Sequence, residues 1–134
     1  MSKNVKYVIL ISILFALLDK IWFKVPFASQ IYNNTVSKIQ GYDIDPTDKK
    51  IYGVIAYLIM GLVYYKLIYP SLESEEWQEK SIYYSLAVWG VFNLTNIVIF
   101  KEYTKEMLVI DIGWGLVVTQ IVGFILKKKL INFL

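Results

Sequence analysis

Two aspartates lie inside long apolar segments of this chain, where a charged side chain is costly. Asp19 is near the end of the first apolar segment, and Asp111 is near the start of the last. A carboxylate costs about 2.5–3.5 kcal/mol at the centre of a bilayer and less near its edges. Ionisable residues that persist in such segments usually serve a function. Asp19 and Asp111 are therefore the predicted catalytic residues.

The pattern Asp-x-x-Trp occurs twice, once at each of these aspartates. Residues three apart share one face of a helix, so each tryptophan should lie beside its aspartate. Asn96, near the end of the third apolar segment, falls at a similar depth, roughly 6 Å below the membrane boundary, and Asn93 lies three residues before it. We predict one polar pocket at one membrane face, in which five further residues contact a ligand: Trp22, Asn93, Thr95, Asn96 and Trp114.

The two carboxylates lie at opposite kinds of helix end. Asp19 is close to a C-terminus, which carries partial negative charge, and Asp111 is close to an N-terminus, which carries partial positive charge. This difference would let the pair divide the roles of acid and base. Structural explanations stay open, because Asp19 can pair with Lys20 at the surface and asparagines can simply join helices by hydrogen bonds.

Four spanning helices are needed to bring these residues together. The chain has 134 residues, 57% of them hydrophobic, and the apolar residues gather into blocks long enough to cross a bilayer. We predict an all-α integral membrane four-helix bundle in a single domain, residues 1–134, with spans at about 5–23, 51–69, 81–100 and 107–126. Loop 1 (residues 25–50) should hold a short amphipathic helix on the membrane surface, because apolar residues recur there at helical spacing: Phe27, Ile31, Val36 and Ile39.

The connections between the later spans are short, so neighbouring helices should be antiparallel and both termini should share a face. Loop 2 (residues 70–80) would lie on that face, and loop 3 (residues 101–106) would lie with loop 1 on the other. The lysine triplet after the last span, Lys127 to Lys129, favours cytoplasmic termini. Polar residues of the spans gather toward loops 1 and 3, and the other half of the bundle is expected to be nearly all apolar.

The composition excludes several kinds of chemistry. The sequence contains no histidine, cysteine or arginine. Thiol and disulfide chemistry, serine–histidine catalysis and zinc sites are therefore not expected, and no cofactor is predicted. Two carboxylates with two amides are a thin ligand set for Ca²⁺ or Mg²⁺, so no metal site is predicted either. The net charge of +3 comes from scattered lysines with no basic stripe, so nucleic acid is not an expected partner. The apolar spans make membrane lipids the predicted partners.

Three motifs resemble those of domain-of-unknown-function family 2177, a family of small four-helix membrane proteins. They are Asp19-Lys20-Ile21-Trp22, Asn93-Leu94-Thr95-Asn96 and Asp111-Ile112-Gly113-Trp114-Gly115. Like residues of the family also match at Tyr32, Tyr57 and Pro70. The family's third-helix motif begins with an acid, so Asn93 is a departure from it. The resemblance spans nearly the whole chain and implies a four-helix membrane protein; the occurrence of bacterial members near lipid-modifying enzymes hints at lipid handling.

Three functions are compatible with these features. The first is binding or modification of a lipid or other small amphiphile, with the question of catalysis left open. The second is a small proton-coupled transporter, although its acids would be expected nearer the midplane. The third is a structural or accessory subunit of a larger membrane assembly, and a homo-oligomer is compatible with all three. Polar residues at the headgroup boundary favour the first.

Overall fold

The computed structural model describes residues 1–45 and 47–128, and all regular secondary structure in them is helical. The α-helices in chain order are α1 (Lys3–Trp22), α2 (Pro26–Gln40), α3 (Lys50–Leu67), α4 (Glu76–Ser85), α5 (Val91–Ile99) and α6 (Lys105–Lys127). A π-helical segment, Leu86–Gly90, joins α4 to α5 in one continuous run. Short 3₁₀ turns, Thr47–Lys49 and Tyr69–Ser71, flank α3. The predicted all-α fold is confirmed.

Capping and turn residues set the helix ends. The Ser2 side chain caps α1, and the Thr104 side chain caps α6 by accepting from the Met107 N–H at 3.1 Å. Pro26 occupies the first turn of α2, where its missing N–H costs nothing. Gly41 ends α2 with a φ of 82°, a left-handed conformation that favours glycine. These local signals separate α2 from the helices on either side.

Three helical runs are long and apolar enough to cross a membrane: Thr47–Ser71, Glu76–Ile99 and Lys105–Lys127. They correspond to the predicted spans at 51–69, 81–100 and 107–126, with the middle one starting ahead of residue 81. The predicted first span is not among them. Every 18-residue stretch of α1 contains Lys6, Asp19 and Lys20, and charged side chains weaken the tendency of a helix to enter lipid.

Antiparallel packing of the four long helical runs brings the predicted polar residues to one end of the molecule. α1 packs along α3, and the α4–α5 run packs along α6. Near the start of α1, Asn4 accepts a hydrogen bond from the Tyr65 hydroxyl at 2.9 Å, late in α3. Near the end of α1, Asp19 contacts Tyr57, earlier in α3. Loops 1 and 3 therefore lie at the same end of the bundle.

The half of the bundle nearer loop 2 is more polar than expected from the sequence. The Tyr64 hydroxyl donates to the Thr119 carbonyl at 2.9 Å and lies 3.4 Å from the Ser81 hydroxyl. Ser81 and Ser85 are fully buried on one face of α4. The expectation of a nearly all-apolar half is therefore wrong. The Thr119 hydroxyl bonds to the Gly115 carbonyl at 2.9 Å, as small hydroxyls in membrane helices commonly do, whereas the buried Ser85 hydroxyl has no hydrogen-bond partner among the described residues.

Helix α2 lies outside the main core and confirms the predicted helix in loop 1. It packs on α6 through a buried stripe formed by Ala28, Tyr32 and Thr35. Ala28 and Tyr32 belong to a small hydrophobic cluster with Tyr103 and Met107, separate from the main core. The buried stripe differs from the predicted apolar positions, of which Phe27 is exposed. α2 is thus a helix with one docked face.

Candidate functional site

Asp19 is buried near the end of α1, and both of its carboxylate oxygens accept hydrogen bonds from other helices. The Tyr57 hydroxyl of α3 donates to Oδ2 at 2.8 Å, and the Trp114 Nε1–H of α6 donates to Oδ1 at 2.7 Å. Only 7% of Asp19 is exposed, whereas Lys20 is exposed. Asp19 therefore joins three helices instead of pairing with Lys20 at the surface.

Asp111 is equally buried at the start of α6 and also accepts two hydrogen bonds. The Tyr32 hydroxyl of α2 donates to Oδ1, and the Asn93 amide of α5 donates to Oδ2 at 2.5 Å. The same amide donates to the Trp89 carbonyl at 2.8 Å, and Asn93 Oδ1 accepts from the Tyr103 hydroxyl. Asn93 is completely buried, so these bonds fix its orientation toward Asp111.

The two Asp-x-x-Trp motifs are tied to each other reciprocally. The rings of Trp22 and Trp114 stack with centroids 4.7 Å apart and planes 2° from parallel. Trp114 donates directly to Asp19, which belongs to the other motif. Trp22 donates at 3.2 Å to the Tyr32 hydroxyl, which in turn donates to Asp111. Because α1 and α6 run in opposite directions, the two motifs form a nearly symmetric arrangement.

The structure brings together most, but not all, of the residues that the sequence places in the site. The cluster contains Asp19, Trp22, Asn93, Asp111 and Trp114. Asn96 is half-buried, and the Asp111 carboxylate accepts from Tyr32 and Asn93 rather than from Asn96.

Thr95 lies on the outer face of α5, and the expectation that it lines the same pocket is not met. It is exposed beside Val91, Leu94 and Val98. The reason is helical phase: two residues at 3.6 per turn correspond to a rotation of about 200°. Because Asn93 faces the cluster, Thr95, two residues later, must point to the opposite side of α5.

Three tyrosines that were not among the predicted site residues complete the site: Tyr32, Tyr57 and Tyr103. Burial raises the pKa of the Tyr103 phenol to about 12, and the charge of Asp111 acts in the same direction. Burial, together with the Asp111 charge, also raises the pKa of Tyr32 above its usual range. Both phenols therefore stay protonated at neutral pH and act as donors. The match of Tyr32 and Tyr57 to like residues of the family could have identified these two as site residues from the sequence.

The site is closed and carries two carboxylates with neutral donors. Each aspartate accepts from one tyrosine hydroxyl and one N–H group. Within residues 1–45 and 47–128 the one ion pair joins Lys80 to Glu76, at the other end of the bundle. The same part of the chain contains no group of three or more aspartate or glutamate side chains placed to hold a metal ion. The arrangement can accept a proton or a positively charged group.

Fold and site together define an all-α membrane protein whose helices enclose a polar cluster at one end. The model of a family described as "Predicted membrane protein (DUF2177)" matches residues 4–126, and the chain belongs to this family. The matched range includes every residue of the cluster, and the resemblance seen in the three motifs is confirmed. Neither the search of curated proteins nor that of solved structures finds a match.

Proposed function

We propose that the polar cluster binds the headgroup of a lipid or other small amphiphile at the membrane face formed by loops 1 and 3. One observation carries the proposal: Asp19 and Asp111 are buried together, each with neutral donors. Buried charges rarely improve stability over apolar residues of similar size. The presence of two buried carboxylates is therefore better explained by a bound ligand than by a contribution to folding stability.

The charge of the cluster favours an amphiphile that carries an amine. Neutral O–H and N–H donors orient the carboxylates of Asp19 and Asp111 but leave their negative charge uncompensated. An ammonium group would supply the missing charge and can also lie against an indole face, such as those of Trp22 and Trp114. The acyl chain would then follow the apolar outer surface of the bundle.

The proposal treats α1 as the fourth spanning helix. Ile11 and Phe15 of α1 are completely buried in the main core. The opposite face of α1 exposes apolar side chains, as a helix in contact with lipid does: Val5, Ile9, Ile13 and Leu17. Asp19 is one of the charged residues that make α1 less apolar than the three other long helical runs, and it is buried inside the bundle and does not face lipid.

Cysteine labelling tests whether α1 crosses the membrane. The chain lacks cysteine, so Ser2→Cys and Lys24→Cys each introduce a single thiol, one at either end of α1. In sealed vesicles, a membrane-impermeant maleimide should reach these two thiols from opposite sides, with Ser2→Cys on the cytoplasmic side. Labelling of both from the same side would show that α1 does not span the bilayer.

Replacement of either aspartate tests ligand binding. Asp19→Asn and Asp111→Asn should each reduce co-purified phosphatidylethanolamine about tenfold or more, because a hydrogen bond to a charged group contributes about 1.5–3 kcal/mol. Native mass spectrometry of the protein in mild detergent measures the bound lipid, with phosphatidylglycerol as the competing headgroup. Asp48→Asn, which changes an exposed acid of loop 1, is the matched control. Equal lipid content in the three variants and the wild type would exclude this function.

A further inference from the structure

A ligand can reach the buried carboxylates only if a covering group moves. Asp19 is covered by Tyr57 of α3 and Trp114 of α6, two helices that pack in the main core. Asp111 is covered by Asn93 of α5 and Tyr32 of α2. Of these four elements, α2 is the one that lies outside the long helical runs of the bundle. Access to the site is therefore easiest on the Asp111 side.

Helix α2 is attached to the bundle by few interactions. Its apolar contacts are with the small cluster that contains Tyr103 and Met107 and with the end of α1, where Trp22 contacts Phe27 and Phe23 contacts Tyr32. Four of its polar side chains bond within loop 1, and the pairs are Asn33 with Ser29, Ser37 with Asp43, and Gln40 with the carbonyls of Tyr42 and Asp43. The Tyr32 hydroxyl is the group of α2 that reaches the polar cluster. Segments with few buried contacts open at a lower free energy than the core.

We propose that α2 is a lid over the site and that the Tyr32 hydroxyl holds it shut between Trp22 and Asp111. The connections at residues 23–25 and at Gly41, whose φ is 82°, separate α2 from its neighbours and allow it to swing as a unit. Opening withdraws Tyr32 and frees one oxygen of Asp111 together with the N–H of Trp22. This inference rests on the proposed function, because it describes how a headgroup enters the same site.

Single cysteines report on the lid without any ligand. Met107→Cys places a thiol in the cluster covered by α2, at a position 5% exposed. Leu72→Cys places one in loop 2, at a position that packs in the main core and is 6% exposed. The measurement is the rate at which a small water-soluble maleimide labels each thiol in detergent, with no lipid added.

Tyr32→Phe should raise the labelling rate of Met107→Cys about tenfold, because a hydrogen bond to a charged group no longer opposes opening. The rate at Leu72→Cys should stay within about twofold, since the main core is unaffected. Tyr57→Phe is the matched control: it removes a hydroxyl from the other aspartate, Asp19, but on a core helix. It should change neither rate.

The outcomes separate the lid from the binding function. An unchanged rate at Met107→Cys, the same rise with Tyr57→Phe, or a parallel rise at Leu72→Cys would each overturn the lid. Because no lipid takes part, such a result leaves the test with Asp19→Asn and Asp111→Asn intact. Labelling can also rise as expected while the amount of bound lipid is the same in the two aspartate variants as in the wild type. In that case α2 is a lid, but its role in headgroup entry is overturned together with the binding function.

Discussion

Asn93→Asp should make the stability of the bundle fall as the pH rises. The Asn93 amide donates to Asp111 at 2.5 Å and needs no titratable proton to do so. An aspartate at this position can make the same contact only while it is protonated. Once both side chains ionise, two carboxylates face each other in a buried site. The loss should be about 3 kcal/mol or more, the scale for an uncompensated buried charge.

The sign follows from proton linkage. The folded variant holds a proton on the acid pair that the unfolded chain releases at lower pH, so stability is retained in acid and lost as the pH rises. Thermal unfolding in detergent at about pH 5 and about pH 8 measures the difference. Asn96→Asp is the control, because Asn96 is half-buried on the same helix and does not bond to Asp111. The same pH dependence in both variants would contradict the argument.

This position also bears on the kind of chemistry that the site supports. The resemblance to the family places an acid where this chain has Asn93. An acid there would share a proton with Asp111, as paired carboxylates do. Asn93 cannot exchange a proton, and it holds Asp111 by a fixed amide contact. In this chain the Asp111 half of the site is therefore better suited to binding than to proton transfer.

The depth of the site could be predicted from the sequence because helix rise is constant. Counting residues from the ends of the apolar segments places Asp19, Asn96 and Asp111 at one level. The structure has both aspartates in one cluster, and the amide that contacts Asp111 is Asn93, one turn before Asn96. The contributions of Tyr32 and Tyr103 could not be found this way. Both lie outside the long apolar segments, and their positions depend on how loop 1 and loop 3 dock.

The face that α5 presents to α6 was also beyond prediction, because it depends on the π-helical segment. Trp77 and Asn93 both face α6, although they are 16 residues apart in one continuous run. In an uninterrupted α-helix this separation would place them about 160° apart. The extra residue accommodated by a π turn reduces the angle to about 60°. Nothing in the sequence Leu86–Gly90 marks this insertion clearly.

The close approach of α6 to Trp89 leads to the second large effect, a loss of about 2 kcal/mol in stability for Gly115→Ala. A Cβ atom at position 115 would lie 2.5 Å from the Trp89 ring, whereas one at position 113 of the same helix meets nothing within 4 Å. Trp89 has little freedom to move, because it is 8% exposed and packs against Phe15 and Tyr84.

The damage from Gly115→Ala should extend to the site. The Trp89 carbonyl accepts from the Asn93 amide, so a displaced Trp89 disturbs the contact between Asn93 and Asp111. Under the proposed function, the amount of bound lipid should fall as well. Gly113→Ala should leave lipid binding unchanged and raise the melting temperature slightly, since alanine favours a helix over glycine by about 1 kcal/mol. Thermal unfolding and native mass spectrometry of the two variants, side by side, measure both effects. Equal melting temperatures would mean that α6 can move away from Trp89, and the close packing at Gly115 would then not be what holds Asn93 against Asp111.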